Sequence, residues 1–191
     1  MNRDGVTVPD ADDPDRALIR AIAQRDEQAL EALYARHWRT LLAYLIQQLG
    51  DDQLAEEVLQ DVMLAAWKGA PGFRGECRVR TWLMAIARRR ATTARQRRAR
   101  SALPLDENNP PGELHFTHTQ SFHTPHDDML SALDQLPCAE REIIILIFYH
   151  NLSGSEVALV MGVPEGTVRS RLRRAKGRLN KLLSEREPTD A

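Results

Sequence analysis

The sequence predicts an all-α chain made of two small helical domains joined by a flexible linker. Three observations carry this. Apolar residues recur at three- and four-residue steps in several segments (Leu30, Leu33, Tyr34; Leu54, Val58, Val62, Ala65; Val168, Leu172, Ala175, Leu179, Leu182), which is the period of a helix with one apolar face. No segment sustains the apolar/polar alternation with β-branched residues expected of strands. Residues 101–126 keep neither period and are rich in Pro, Asn, His and Thr, a longer irregular stretch than a compact domain normally holds inside itself. The resulting division is an acidic, disordered N-terminus at 1–13, a first domain at 14–100, a linker at 101–126, a second domain at 127–186 and a tail at 187–191.

Composition narrows the function classes. The chain has 191 residues, 42% hydrophobic and 28% charged, as in a folded protein with a core of its own. Its longest apolar run, Ile143 to Tyr149, is far too short to span a bilayer. The opening stretch MNRDGVTVPDADDPD is acidic and polar, unlike a secretory signal. Cys77 and Cys138 are the two cysteines and make no disulfide framework. A cytoplasmic protein without membrane insertion is expected. There is no Gly-rich phosphate loop, no His-Glu-x-x-His and no Ser/His/Asp set, so neither enzyme activity nor a cofactor is expected.

The formal net charge of −1 conceals a sharp segregation. Residues 51–61 carry five acids and no base, residues 88–100 seven arginines and no acid, and residues 169–181 seven basic side chains and no acid. Such blocks mark surfaces with distinct partners.

The last block has a recognisable frame. Ser153 and Glu156 have capping-box spacing, so a helix starts at Gly154, carries Val157, Ala158 and Met161 inward and stops at Gly162. Pro164 then stands where a second helix begins. The stripe from Val168 to Leu182 leaves Arg169, Arg171, Arg173 and Arg174 outside. Helix, glycine turn and basic second helix form a helix-turn-helix, whose second helix presents its N-terminal residues to the major groove. Thr167, Arg169, Ser170 and Arg171 would then be nearest the bases or flanking phosphates; a basic amphipathic helix packed on an acidic surface is the other reading of the same charges.

In the first domain, Gly50 and Gly69 are expected to punctuate the helices. The helix over 51–67 has Leu54, Val58, Val62 and Ala65 as its expected inner stripe. Its other side shows Glu56, Glu57, Gln60, Met63, Leu64 and Trp67. That mixture suits a protein partner, and packing of Met63, Leu64 and Trp67 inside the same bundle suits the spacing equally. Residues 71–100 combine a Gly/Pro-rich loop holding Phe73 and Arg74 with a helix from about Arg80. Trp82, Leu83, Ile86 and Ala87 are expected inside and the arginines outside. Rings that stack on bases, beside arginines that track phosphates, suit single-stranded DNA, although Trp82 itself reads as a core residue.

The segments DDQLAEEVLQDVMLAAWKGAPGFRG, RTWLMAIARRRA and LSGSEVALVMGVPEGTVRSRLRRAKGRL together resemble the extracytoplasmic-function sigma factors of bacterial RNA polymerase, over residues 20–100 and 127–183. The resemblance implies a region 2 bundle and a region 4 helix-turn-helix. It assigns Glu56, Glu57, Gln60, Asp61 and Leu64 to docking on core RNA polymerase. It assigns Phe73, Arg74, Cys77, Arg78, Arg80, Arg88 and Arg89 to the minus-ten element, with the loop over 73–78 holding a flipped base. It assigns Glu165, Thr167, Arg169, Ser170, Arg171, Arg173 and Arg174 to the minus-thirty-five element. Cys77, Arg89 and Thr93 depart from the common pattern of the minus-ten reader. The resemblance also implies promoter DNA and an anti-sigma factor as partners, the latter the cytosolic part of a membrane protein that covers both docking surfaces.

His115, His118, His123 and His126 form two His-x-x-His pairs. Such imidazoles can bind transition metals, but a loop without preformed supporting groups makes them weak candidates. The alternative functions are an autonomous helix-turn-helix regulator and a metal-responsive regulator using these histidines.

Overall fold

A computed structural model describes residues 13–102 and 125–184, with the backbone alone at 102, 125–128 and 130. The described residues are helical, without a strand, and fall into two compact units. His115, His118 and His123 lie outside the described residues. His126 lies in the first turn of a helix, and its side chain is outside the description.

Among its described residues the first unit has four helices: α1 (Asp15–Ala23), α2 (Glu27–Leu49), α3 (Asp52–Gly69) and α4 (Val79–Ala102), with a 3-10 turn at Ala70–Gly72 before the loop that leads into α4. Local chemistry sets the boundaries. The Asp26 side chain accepts from the Ala29 N–H and begins α2, and Asp51 accepts from the Leu54 N–H and begins α3. Both relieve orphan donors of a first helical turn. Gly50, with φ 64°, closes α2 in the left-handed conformation that glycine adopts without strain. The core is built from Ile19 and Ile22 of α1, Leu33, Leu41, Tyr44 and Leu45 of α2, Val58, Val62 and Met63 of α3, and Val79, Leu83, Met84 and Ala87 of α4.

The face that α3 buries differs from the expected stripe. Ala55, Val58, Leu59, Val62, Met63 and Ala66 are buried, while Leu54 and Ala65 sit at the margins and Trp67 is half-buried. The helix packs against both α2 and α4, so its apolar arc is wider than one stripe and is rotated toward Met63. Met63 is therefore core, and of Met63, Leu64 and Trp67, for which the spacing allowed either a partner surface or the bundle interior, Leu64 is exposed. In α4 the expected Leu83 and Ala87 are buried, Trp82 and Ile86 are half-buried, and Met84 joins the core.

The second unit contains α5 (Pro125–Asp134), α6 (Cys138–Ile144), a π-turn at Ile145–Tyr149, α7 (Gly154–Met161) and α8 (Glu165–Ser184). The capping box is present in full: the Glu156 N–H donates to Ser153 Oγ at 3.2 Å, and the Ser153 N–H donates to Glu156 Oε2 at 2.9 Å. Gly162, with φ 66°, ends α7, and the Pro164 carbonyl accepts from the Thr167 and Val168 N–H groups at the start of α8. Val157 and Met161 point inward as expected, but Val160 takes the inner place given to Ala158, which is half-buried. Along α8, Val168 and Ala175 are buried, and Leu172, Leu179 and Leu182 are partly covered.

Replacing Ser153 with Ala removes the Oγ that accepts from the Glu156 N–H, while the Ser153 backbone N–H can still donate to Glu156 Oε2. Loss of an N-cap costs about 1 kcal/mol, so amide exchange over Val157–Met161 in the full chain is expected to rise about fivefold. Unchanged protection would mean that packing alone holds α7.

Candidate nucleic-acid interface

Three surfaces follow from the helices just described. The first is the outer side of α3, where Glu56, Glu57, Gln60, Asp61 and Leu64 are all exposed. The helical period explains this: they fill the arc opposite Ala55, Leu59, Val62 and Ala66. Leu64, 50% exposed, is an apolar point amid carboxylates. A groove of about 540 Å³ runs between this helix and the C-terminal half of α4, with Asp51, Glu57 and Asp61 on one wall and Arg97 and Arg98 on the other. Arg98 Nη1 reaches Asp51 Oδ2 at 2.9 Å across its end.

Asp51 thus has two tasks. It caps α3 and pairs with α4. The Leu54 N–H, and after it the Arg98 guanidinium, hold its carboxyl below the ordinary value of 3.8, against a desolvation effect in the opposite direction.

The second surface is the loop over 73–78 with the start of α4. Phe73 is half-buried, its ring centroid 5.0 Å from that of Trp82 and tilted by 44°. The indole also lies over Gly69, where a Cβ would approach it to 3.3 Å. Trp82 is therefore partly a packing residue, and Phe73 rests on it at the foot of the loop. Arg74 and Arg78 are exposed, and Arg74 pairs with Glu76 at 3.1 Å. Gly75 takes φ 71°, and its carbonyl accepts from Arg16 Nη2 at 2.7 Å. A groove of about 390 Å³ opens between the loop and α1, lined among others by Arg20, Phe73 and Arg74. Along α4 the structure spreads the assigned residues: Arg89 is exposed, whereas Cys77, Arg80 and Arg88 are half-buried. Phe73, Arg74, Cys77 and Arg78 are grouped in the loop, and Arg89 lies more than two helical turns further on.

The third surface is α8. Thr167 and Arg171 are half-covered, and Glu165, Arg169, Ser170, Arg173 and Arg174 are exposed. Arg169 is drawn toward Glu165 one turn earlier, at 3.4 Å, and Ser170 Oγ donates to the Thr167 carbonyl at 3.0 Å. Further along, Arg178 turns back to the buried carboxylate of Glu140 at 3.4 Å, and Lys176 lies 5.1 Å from the Phe148 ring centroid. The two residues are thereby partly committed to α6 and the π-turn, leaving the N-terminal half of α8 as its more open cationic face.

Sequence reasoning missed several features. Asp13 and Arg16 reach the loop and α4 from the other end of the unit, separated from their partners by 66 and 59 positions, and no local pattern signals that. Asp15 binds Arg36 at 2.6 Å and His37 at 2.7 Å, fastening α1 to α2. Phe148, Tyr149 and Leu159 are exposed although two of them end the longest apolar run. Hydrogen bonding from the His150 N–H to the Ile145 carbonyl marks the π-turn that swings this end outward.

Known proteins match both units. The family model described as Sigma-70 region 2 matches residues 33–101, and that described as Sigma-70, region 4 matches residues 126–179. The chain is 35% identical to the ECF RNA polymerase sigma factor SigM of Mycobacterium tuberculosis over 173 residues, 88% of this chain and 84% of the relative. It is 32% identical over 171 residues to the ECF RNA polymerase sigma factor RpoE of Cereibacter sphaeroides, covering 88% and 94% of the two chains. Among solved structures, CnrH in complex with the cytosolic domain of CnrY is similar with a TM-score of 0.63 and 26% identity, covering 91% of this chain and 99% of that one. The sigma factor RpoE in complex with the anti-sigma factor NepR from Bartonella quintana gives a TM-score of 0.63 at 28% identity, covering 81% and 96%.

The state of Asp51 gives a pH prediction. Its pKa is lowered on folding, so its contribution to stability is complete above the unfolded value and is lost as pH falls through the folded one. Asp51→Asn keeps a capping oxygen and removes the charge. The parent is expected to be more stable than this variant near neutrality, with the gap closing as pH falls below 3.8. Acid titration followed by far-UV circular dichroism measures it; a gap independent of pH would mean that the ionised carboxylate contributes nothing.

Proposed function

As a member of the extracytoplasmic-function sigma factor family of bacterial RNA polymerase, the chain has its function in transcription initiation, and we propose that it acts by binding core polymerase through α3 and reading promoter DNA through the loop, α4 and α8. The observation that carries this reading is the pairing, in one chain, of an exposed acidic helix face in the region 2 match with an open arginine face in the region 4 match. The acids suit a basic docking site on a protein. The arginines suit phosphates and the edges of guanine.

Exposure and grouping support the proposed division of labour. Glu56, Glu57, Gln60 and Asp61 present charge around Leu64, an apolar centre with a polar rim as in protein interfaces. The loop over 73–78 sets Phe73 beside exposed Arg74 and Arg78, so a base leaving the duplex meets a ring while its phosphates meet guanidinium groups. Arg80, Arg88 and Arg89 extend that contact along α4, with Cys77 at its edge. In α8, Thr167, Arg169, Ser170 and Arg171 approach base edges, with Glu165 as an acceptor for a cytosine amino group and Arg173 and Arg174 on the backbone. The domain assignment is 14–100 for polymerase and minus-ten binding and 127–186 for minus-thirty-five binding. The relatives are transcription initiation factors rather than enzymes, and the function proposed here needs no catalytic residue or cofactor.

Regulation by an anti-sigma factor completes the reading. The solved relatives are bound to the cytosolic domain of CnrY and to the anti-sigma factor NepR. An inhibitor of this chain, the cytosolic part of a membrane protein, would compete for the surfaces that core polymerase needs. Among the described residues no helix is long and apolar enough to cross a membrane, and the place of action proposed is the cytoplasm.

In vitro transcription with purified core polymerase, followed by sequencing of the transcripts, tests the function: transcripts starting at a common promoter motif are expected. Operator binding without any effect on core polymerase would instead identify an autonomous regulator. Joint reversal of Glu56, Glu57 and Asp61 to lysine is expected to weaken core binding at least tenfold, an estimate resting on the 2–5 kcal/mol typical of lost interfacial charge pairs. The helical circular dichroism should be retained, since these are surface positions. Normal competition for core by this variant would remove α3 from the docking surface. Arg169→Ala is expected to reduce the salt slope of promoter binding by about one; an unchanged slope and affinity would take that side chain out of the DNA contact.

A further inference from the structure

We infer that Arg16, held in place by the first turn of α1, is a positioning residue for promoter opening: it fixes the shape of the 73–78 loop without itself being assigned a DNA contact. This rests on the reading of that loop as the element that receives a base from the opening duplex.

The geometry is specific. Arg16 Nη2 donates to the Gly75 carbonyl at 2.7 Å, at the point where the loop adopts φ 71°. A Cβ on Gly75 would approach Arg16 Nη1 to 3.3 Å, so the guanidinium lies against the glycine's open side as well as its carbonyl. Three residues earlier, Asp13 Oδ2 accepts from the Val79 N–H at 2.7 Å, at the first residue of α4. The loop is therefore tied to α1 at its middle and at its exit. Asp13 is itself oriented by α1, since its Oδ1 accepts from the Asp15 N–H at 3.1 Å and its carbonyl from the Arg16 N–H at 3.1 Å. Asp15 in turn binds Arg36 and His37, so the first turn of α1 is anchored on α2. The path runs from α2 through Asp15 to Arg16 and Asp13, and from these to the loop and α4.

Preorganisation is the physical benefit. A base that leaves the stack must find its receiving surface already formed, or the cost of ordering the loop adds to the cost of unstacking. Arg74 is solvent-exposed and its Glu76 partner is equally outside, so that pair cannot anchor the loop to the body of the unit. A charged donor on a backbone carbonyl can.

The test uses the full chain with core polymerase, on a promoter found by transcript sequencing. Opening is followed by permanganate reactivity of unpaired thymines, and core binding by competition. Arg16→Ala is expected to open duplex promoter roughly tenfold more slowly, the scale of one lost hydrogen bond to a charged group, with core binding unchanged. Arg16→Lys, which keeps a cationic donor, is expected to recover most of the rate. Gly75→Ala, which places a methyl group against the guanidinium at a residue whose φ of 71° itself disfavours a side chain, is expected to slow opening at least as much. Equal opening rates for Arg16→Ala and the parent would overturn the inference. So would a parallel loss of core binding, because that marks general loosening of the unit. If the parent with core polymerase opens no promoter at all, the proposed function itself fails and the inference with it.

Discussion

One carboxylate holds together the part of the molecule on which the first unit's geometry depends. Asp13 offers one oxygen to the start of α1 and the other to the start of α4. Both are helix N-termini, where backbone N–H groups lack intrahelical partners and where the helix dipole favours negative charge. Satisfying two such ends with a single side chain sets the distance between them. The entry of α4 is fixed relative to α1, and α1 is fixed relative to α2 by Asp15. What remains between the 3-10 turn and α4 is a loop tied at its middle by Arg16 and at its exit by Asp13, so six residues with little regular structure can keep a defined shape.

Charge is arranged by the same economy of positions. The chain is almost neutral in total, yet α3 faces solvent with acids and α4 with arginines. The two signs meet along one groove and touch through Asp51 and Arg98. Contact between opposite charges at the end of the groove limits its local field, while the outer faces keep single signs. A polyanion is thus attracted to one side of the unit and repelled from another, which orients it before contact. At physiological ionic strength such fields reach only about 8 Å, so segregation over neighbouring helices, rather than total charge, decides what approaches where.

Much of the local structure was legible from short spacings. Ser153 and Glu156 announce the start of α7, Gly50 and Gly162 the ends of α2 and α7, and Val168 to Leu182 the buried side of α8, because each depends on residues within a turn or two. The inner face of α3 was less legible: a helix that touches two others buries a broad arc, and Met63 fits both the inside and the outside of a single-stripe reading. The π-turn after α6 was invisible because seven apolar residues in a row have no period to break. The exposure of Phe148 and Tyr149 follows from that turn and not from their hydrophobicity. The brace around the loop was beyond sequence reasoning altogether. Arg16 and Gly75 are 59 positions apart, and an Asp-x-Asp-Arg near an N-terminus looks like an ordinary charged helix start. The surfaces assigned to polymerase and DNA were legible as residue types, and the structure adds which of them stand clear of the protein and which are half-covered.

The position of α1 also bears on what counts as a unit of inheritance. The family model matched to the first unit begins at residue 33, within α2, whereas the residues that hold the loop lie at 13–16. The piece that this family model outlines is therefore smaller than the piece that is mechanically whole. A segment cut at that boundary and placed in another chain would carry its loop and leave its fastening behind. To keep the loop's shape, such a segment would have to bring the first turn of α1 with it or find an equivalent tie in its new setting.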